Sequence, residues 1–281
     1  NRLLGDTGND LQRYGNKIYI VVNSSSTIEV LDATTLNSIK QIQLNFQAQG
    51  QQPRRITFWS NKAYVSSYDG YVNIIDTNTL DVVNRIQVGQ NPEGLAVLND
   101  HLFVANSGGL SFPNVDSTVF EIDLTTNQVL DTFVVGNNPG DIISDGNQNI
   151  YVVKRGDYNA DPSEMIKINI NTGTVENTFV PASSLSKSGS SLYISYYNYS
   201  TNNSSVALYD LNTETVTNSN IVENNDIVTL YGSYYFQNNQ VICLDAMNFT
   251  NTGYLKIFDY SGSLLSSFEV SLNPNKILIY E

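Results

Sequence analysis

The chain repeats one short pattern, in which an apolar run ends at Asp-x-x-Thr or a close variant and a second strand-like run follows. Six positions are equivalent in this alignment: Asp32, Asp76, Asp123, Asn169, Asp210 and Asp259. Their separations are 44, 47, 46, 41 and 49 residues, which is the period expected of propeller blades. A unit of this size cannot bury both faces of its own sheet, so neighbouring units must stack and share their cores.

Each repeat carries its strand signals in the same order. The first strand follows a loop that contains proline, as at Pro53, Pro92 and Pro139. The second strand alternates around one aromatic side chain, which the alternation assigns to a buried face. These aromatics are Tyr19, Tyr64, Phe103, Tyr151 and Tyr193. We therefore predict an all-β fold, a β-propeller of four-stranded antiparallel blades, with residues 1–281 forming a single domain.

The two ends of the chain leave the number of blades open. Residues 11–44 supply a first blade, and Asn275–Tyr280 resembles the first strand of one more repeat. Because a lone strand would leave its edge unpaired, we expect six complete repeats plus this terminal strand. Strands preceding Asn1 would then complete a seventh blade. A six-bladed propeller is the alternative.

Charge narrows the range of partners. The formal net charge is −13 and the sequence pI is near 4.3, so nucleic acid and an anionic membrane surface would be repelled. A basic or neutral partner is favoured. No apolar stretch is long enough to cross a bilayer, and the one cysteine, Cys243, lies in an apolar run where a small buried side chain fits.

Catalytic signals are sparse. His101 is the only histidine, and no nucleophile-elbow, Walker or dinucleotide motif occurs. We therefore predict a protein that is not an enzyme and needs no cofactor. A lyase or glycosidase that works with carboxylates alone is the remaining enzymatic alternative. Its candidate acids are Glu93, Asp141, Asp157, Asp161 and Glu164.

One acidic segment begins like a calcium-binding loop. Asp157, Asn159 and Asp161 supply alternating oxygen ligands. Pro162 then stands where the sharp turn needs glycine, and Glu164 comes too early to be the closing ligand. We expect a solvated acidic loop without metal, with calcium as the alternative.

The loops after the second strands differ most between repeats, whereas the turns after the third strands are uniform. Variable loops on a uniform frame are where binding usually resides, and tyrosine offers a wide contact area at little entropic cost. Two basic doublets, Arg54-Arg55 and Lys154-Arg155, accompany these loops; they either pair with nearby acidic side chains or contact an anionic ligand group. The predicted binding residues are Arg54, Arg55, Tyr68, Phe112, Arg155, Tyr158, Tyr196, Tyr197, Tyr199 and Phe249.

Some segments resemble a known family. Residues 20–23, 103–106 and 73–76, which read Ile-Val-Val-Asn, Phe-Val-Ala-Asn and Asn-Ile-Ile-Asp, resemble YVTN-type propeller repeats. Residues 4–10, 244–249 and 258–262 are similar to surface-anchored propeller lipoproteins that accompany TonB-dependent outer-membrane transporters, the cobalamin-binding type among them. That resemblance implies a cell-surface, outer-membrane-associated or periplasmic protein with a lipid anchor upstream of the displayed chain.

These observations together predict a non-enzymatic binding propeller. It would capture a ligand for, or dock onto, an outer-membrane transporter or another membrane complex. The first alternative is a purely structural scaffold subunit of an outer-membrane complex. The second is the funnel-type lyase or glycosidase.

Overall fold

A computed structural model describes residues 6–222 and 226–279 and shows an all-β propeller with six four-stranded antiparallel blades. Each blade is a meander in which consecutive strands pair. The first three blades and a small hairpin between the first two are β1 (Gly8–Tyr14), β2 (Lys17–Val22), β3 (Thr27–Asp32) and β4 (Ser38–Gln43); the hairpin β5 (Asn45–Phe46) and β6 (Gln49–Gly50); β7 (Pro53–Trp59), β8 (Lys62–Ser67), β9 (Tyr71–Asp76) and β10 (Val82–Gln87); and β11 (Pro92–Leu98), β12 (His101–Asn106), β13 (Thr118–Asp123) and β14 (Gln128–Val134).

The remaining three blades follow the same order. The first strands of the second, third and fourth blades begin at the prolines of the sequence pattern, Pro53, Pro92 and Pro139, where the missing N–H is tolerated. The strands of these blades are β15 (Pro139–Ser144), β16 (Asn149–Lys154), β17 (Glu164–Asn169) and β18 (Thr174–Pro181); β19 (Ser184–Ser188), β20 (Ser191–Asn198), β21 (Asn203–Asp210) and β22 (Thr215–Asn218); and β23 (Leu230–Phe236), β24 (Gln240–Asp245), β25 (Thr252–Asp259) and β26 (Leu264–Leu272).

The six-bladed alternative is confirmed, and the expectation of a seventh blade is wrong for the residues that the structure describes. β1 already supplies the first strand of the first blade by pairing with β2. Residues 274–279 form no strand; instead, the Tyr234 hydroxyl donates to the Asn275 carbonyl oxygen at 3.3 Å. Tyr280 and the stretch before residue 6 lie outside the described residues.

The repeated aromatic of the second strand is a core residue, as predicted. Tyr19, Tyr64, Phe103 and Tyr151 are fully buried, and Tyr193 is nearly so. Desolvation raises the pKa of both Tyr19 and Tyr64 to about 12. Blade cores therefore form where one large side chain from each second strand fills the space between sheets. Cys243 is likewise buried, and desolvation raises the pKa of its thiol.

The uniform turns after the third strands hold themselves together. Asp32 Oδ1 accepts the backbone N–H groups of Thr34 at 3.0 Å and Thr35 at 2.8 Å, and the Thr35 hydroxyl at 3.0 Å. These bonds lower the pKa of Asp32, the Thr35 backbone bond most. The other five blades repeat the carboxylate or amide cap, which explains why these turns are uniform. The capping residues there are Asp76, Asp123, Asn169, Asp210 and Asp259.

Two compact units make up the chain. Unit 1 comprises Asn1–Val152 with Ile168–Val175, and unit 2 comprises Val153–Lys167 with Glu176–Glu281. The fourth blade contributes residues to both units. The single-domain organisation stays a prediction. Within the described residues, no helix is long and apolar enough to cross a membrane.

Candidate functional site

Unit 2 contains a cleft with a volume of about 290 Å³. Two segments form most of its wall: the 155–163 loop after β16 and the hairpin that joins β20 to β21. We call it the tyrosine cleft. Its lining residues are Arg155, Tyr158, Asn159, Asp161, Pro162, Ser163, Ser183, Tyr196, Tyr197, Asn198, Tyr199 and Ser200.

A buried lysine anchors the 155–163 loop. The Lys154 ammonium lies 2.6 Å from Asp161 Oδ1 and 3.3 Å from Glu164 Oε2, and Lys154 is only 8% exposed. Burial by itself would lower the pKa of Lys154, but the two carboxylates outweigh it and the pKa is raised. The ammonium therefore stays charged and ties the start of the loop to Asp161 and Glu164 near its end.

Internal hydrogen bonds shape the same loop. Asp157 Oδ1 accepts the backbone N–H of Asn159 at 2.9 Å and that of Asp161 at 2.8 Å, and these bonds, the Asp161 one most, lower the pKa of Asp157. Gly156 has φ +71°, and a Cβ there would lie 2.0 Å from the Asp161 carbonyl oxygen. Only glycine fits at this position, so the loop has one tight, defined path.

The calcium alternative for this loop is not supported. Asp157 uses its oxygen to cap backbone N–H groups, and Asp161 faces the Lys154 ammonium. A cation beside that ammonium would be repelled. Across residues 6–222 and 226–279, no three acidic, histidine or cysteine side chains come together in a way that could hold a metal ion.

The second wall is a regular hairpin, which the sequence did not predict. Tyr196 and Tyr197 were expected in an irregular loop, but they pair with Ser205 and Ser204 as part of β20 and β21. The turn is then only four residues long, 199–202. Asn198 Oδ1 caps this turn by accepting the N–H groups of Ser200 at 2.9 Å and Thr201 at 3.2 Å. Backbone pairing thus positions the tyrosines of this wall.

The tyrosine rings of the two walls meet. Tyr199 packs edge to face with Tyr158 at a centroid distance of 6.2 Å and with Tyr197 at 4.8 Å. The Tyr197 hydroxyl donates to Asn202 Oδ1 at 3.0 Å. Tyr158 and Tyr199 nevertheless remain 59% and 62% exposed. The cluster is therefore ordered, yet it keeps most of two rings open to a ligand.

The Tyr199 phenol is tuned by its neighbours. Although much of the residue is exposed, desolvation raises the pKa of Tyr199, and the phenols of Tyr231 and Tyr158 add to the rise. The positive charge of Arg155 acts in the opposite direction. The net effect keeps the hydroxyl protonated, so at neutral pH it serves as a hydrogen-bond donor.

Phe249 lies beside this cluster and outside the cleft lining. Its ring packs against Tyr231 at 5.5 Å. Asp245, which is fully buried, supports this loop by accepting the N–H of Met247 at 3.0 Å and by contacting Lys256 Nζ at 2.8 Å. Desolvation alone would raise the pKa of Asp245, but these bonds together hold it below its usual value.

The predicted residues Arg54 and Tyr68 lie in unit 1 around a buried acid. Arg54 forms a bidentate pair with Glu93, with both N–O distances at 3.1 Å, and its guanidinium stacks 4.5 Å from the centroid of the Tyr68 ring. The Tyr68 hydroxyl also donates to Glu93, which is 2% exposed. Here the pairing that the sequence left open for the basic doublet is present.

Arg55 is paired in the same way. It lies 3.0 Å from Asp141 Oδ1, and its second nitrogen donates to the Asn9 carbonyl oxygen at 2.6 Å. We call Arg54, Arg55, Tyr68, Glu93 and Asp141 the paired-arginine network.

Two other predicted positions of unit 1 stand apart from that network. Phe112 is 55% exposed in the 107–117 loop. His101 begins β12 and contacts Glu121. Of the five enzymatic candidates, Asp157 caps backbone N–H groups, and the other four each face an arginine or lysine. These four are Glu93, Asp141, Asp161 and Glu164.

Comparisons with known proteins bear on the fold of the chain. No protein family model matches the chain, and no curated protein matches it. Among solved structures, it is similar to hydrazine synthase of Kuenenia stuttgartiensis, with 14% identity over 92% of this chain and 94% of that chain and a TM-score of 0.65. It is also similar to the computationally designed Ika8 protein, with 13% identity over 95% and 90% and a TM-score of 0.62. At such identities the likeness concerns the fold alone, which in these proteins is the scaffold of the β-propeller.

Proposed function

We propose that this protein is a non-enzymatic binding module that captures its ligand in the tyrosine cleft of unit 2. The observation that carries the proposal is the exposure of Tyr158 and Tyr199 within an otherwise ordered cluster. Exposed aromatic side chains at the mouth of a concave site offer contact area to a ligand. The cleft therefore presents a binding surface without a catalytic group of matching geometry.

Preorganisation supports the same proposal. One wall is fixed by Lys154 and by the Asp157 cap, and the other by strand pairing. Tyr158 also adopts φ +60°, a left-handed conformation that costs a non-glycine residue about 1–2 kcal/mol.

The cellular setting belongs to the proposal as well. We place the protein at the cell surface, where it would deliver its ligand to, or dock onto, an outer-membrane transporter or assembly complex. The support is the resemblance of its repeats to surface-anchored propeller lipoproteins. Net charge agrees with a basic or neutral ligand or partner surface.

A screen that makes no assumption about ligand class tests the binding function. Wild type and the double variant Tyr158→Ala/Tyr199→Ala are compared by thermal shift against sorted sets of saccharides, peptides, tetrapyrroles, nucleotides and organic acids. We expect at least one set to stabilise the wild type and to lose most of that effect in the double variant. Phe268→Ala is the matched control, because Phe268 is 53% exposed on β26 and lies outside the cleft.

Two results would contradict the proposal. In the first, the double variant responds to every compound as the wild type does, which puts any binding elsewhere. In the second, the double variant unfolds at a much lower temperature than Phe268→Ala, which makes the tyrosines packing residues. Detergent-solubilised outer-membrane protein is added in a parallel thermal-shift experiment, which tests for a protein partner instead of a small ligand.

A further inference from the structure

We infer that the ligand of the tyrosine cleft is a saccharide. This inference rests on the proposed function and adds the chemical class of the ligand. It follows from what lines the cleft, from which parts of the tyrosines stay open, and from the charges around them.

The composition of the lining favours a ligand covered with hydroxyl groups. Apart from Pro162, the described lining consists of tyrosine, asparagine, serine, arginine and aspartate side chains. No leucine, isoleucine, valine, methionine or phenylalanine lines it. Its apolar surface therefore comes mainly from four tyrosine rings, and the polar side chains around them match a ligand that presents both C–H faces and hydroxyl groups.

Exposed tyrosine rings match the apolar faces of sugar rings. A pyranose presents C–H groups on one face, and these carry partial positive charge that complements the negative face of an aromatic ring. Tyr158 and Tyr199 offer 59% and 62% of their surface, and the 90° angle between their rings gives two differently oriented platforms. Such an angled pair can contact two adjoining sugar rings or two sides of one.

Polar groups around the rings can serve the sugar hydroxyls. The Tyr199 phenol is protonated at neutral pH and can donate or accept a hydrogen bond. Arg155 lines the same space as a fork of donors, and Asn198 uses only its carbonyl oxygen in the turn cap. A volume of about 290 Å³ lies at the small end of ligand pockets, which run from about 300 to 1,000 Å³, and suits one or two sugar rings.

Charge argues against a nucleotide polyanion as the occupant. The chain carries a net charge of −13, and Arg155 is the one cationic residue that lines the described cleft, which Asp161 also lines. A triphosphate would meet a single arginine and a repulsive long-range field. An uncharged saccharide meets neither obstacle.

The test uses defined disaccharides and reads the tyrosines directly. The protein with ring-labelled tyrosine is titrated with the uncharged disaccharides maltose, cellobiose, lactose and diacetylchitobiose, and ring signals are followed by NMR. We expect one or more to shift the Tyr158 and Tyr199 signals. We expect affinity to fall about tenfold in each single alanine variant, since one ring contact is lost. Tyr199→Phe, which keeps the ring, should retain more affinity than Tyr199→Ala.

The possible outcomes distinguish a wrong saccharide inference from a wrong binding function. Disaccharide binding that the alanine variants lose and Phe268→Ala keeps supports the inference. If no disaccharide moves the tyrosine signals while a peptide or another compound set does, the saccharide inference is wrong and the binding function stands. If binding to a disaccharide is unchanged in both alanine variants, the sugar site is elsewhere and the inference is again wrong.

Discussion

The paired-arginine network of unit 1 and the tyrosine cleft of unit 2 were indistinguishable as sequence patterns, yet the structure gives them different characters. In the network, Arg54 and Arg55 each form an ion pair with a carboxylate, and the Tyr68 hydroxyl donates a hydrogen bond to Glu93. In the cleft, Tyr158 and Tyr199 keep more than half of their surface open.

The difference teaches which observation separates structural from functional use of the same residue types. Arginine and tyrosine build rigid frames when a buried acid satisfies them, as Glu93 does. They build binding surfaces when order comes from other groups, as Lys154 and the β20–β21 pairing provide at the cleft. Four predictions test this division.

The largest effect should come from Glu93→Ala. Removing the acid leaves Arg54 partly buried without its bidentate partner, and breaking a buried pair on one side costs about 3–5 kcal/mol. Urea unfolding measures the loss. Asp81→Ala is the matched control, since its pair with Lys40 is exposed and such pairs contribute about 0–1 kcal/mol. If both substitutions lower the free energy of unfolding equally, the network does not have the structural role assigned to it.

Lys154→Met should come next. The variant keeps the aliphatic stem but leaves Asp161 and Glu164 without their shared ammonium, at a cost of about 2 kcal/mol. Lys40→Met at the exposed pair is the control, with a loss below about 1 kcal/mol. Because the 155–163 loop also loses its anchor, amide hydrogen exchange in that loop should speed up. Unchanged exchange would mean that the Asp157 cap alone orders it.

A smaller effect, with the opposite sign, is expected at Tyr158. Tyr158→Gly relieves the left-handed backbone strain and should raise the unfolding free energy by up to about 1 kcal/mol, while ligand binding in the cleft is lost. Tyr158→Ala keeps a Cβ and should show the loss of binding without that gain. Thermal unfolding and the ligand titration measure both. A glycine variant that is less stable than the alanine variant would mean that the left-handed backbone at this position stores no strain that glycine relieves.

The smallest effect concerns the uniform turns. Hydrogen bonds, the Thr35 backbone bond first, hold the pKa of Asp32 below 3.8 in the folded protein. The stability that this turn contributes is therefore present above pH 3.8, and it is lost as the pH falls through the pKa that Asp32 has in the folded protein. Asp32→Asn should flatten this part of the pH dependence, as measured by urea midpoints. Asn169 already caps the equivalent turn of its blade with an amide oxygen, so an asparagine at position 32 can keep the cap without a titratable group.

Much of the fold was readable because its signals are local. The Asp-x-x-Thr caps form within four residues, and the buried aromatic recurs at one place in each second strand. Both depend on neighbours in sequence, so a repeat exposes them. The number of blades was not readable in this way, because an apolar run such as Lys276–Ile279 resembles a strand whether or not another strand pairs with it.

The site was only partly readable. Tyr158, Tyr197 and Tyr199 were expected to bind, and the structure brings them together. Their role in binding stays a prediction. The pairing of Arg54 and Arg55 could not be assigned, because Glu93 and Asp141 are 39 and 86 residues away in sequence. The hairpin was missed because asparagine and serine, which favour turns, interrupt its run of tyrosines.

The β20–β21 hairpin has a kinetic consequence. Because strand pairing holds Tyr196 and Tyr197 and a capped four-residue turn carries Tyr199, a ligand meets a surface that needs no rearrangement before contact. Its arrival should then be governed by diffusion and by the electric field of this acidic chain. Good and poor ligands would accordingly differ chiefly in residence time, which a dissociation experiment records directly.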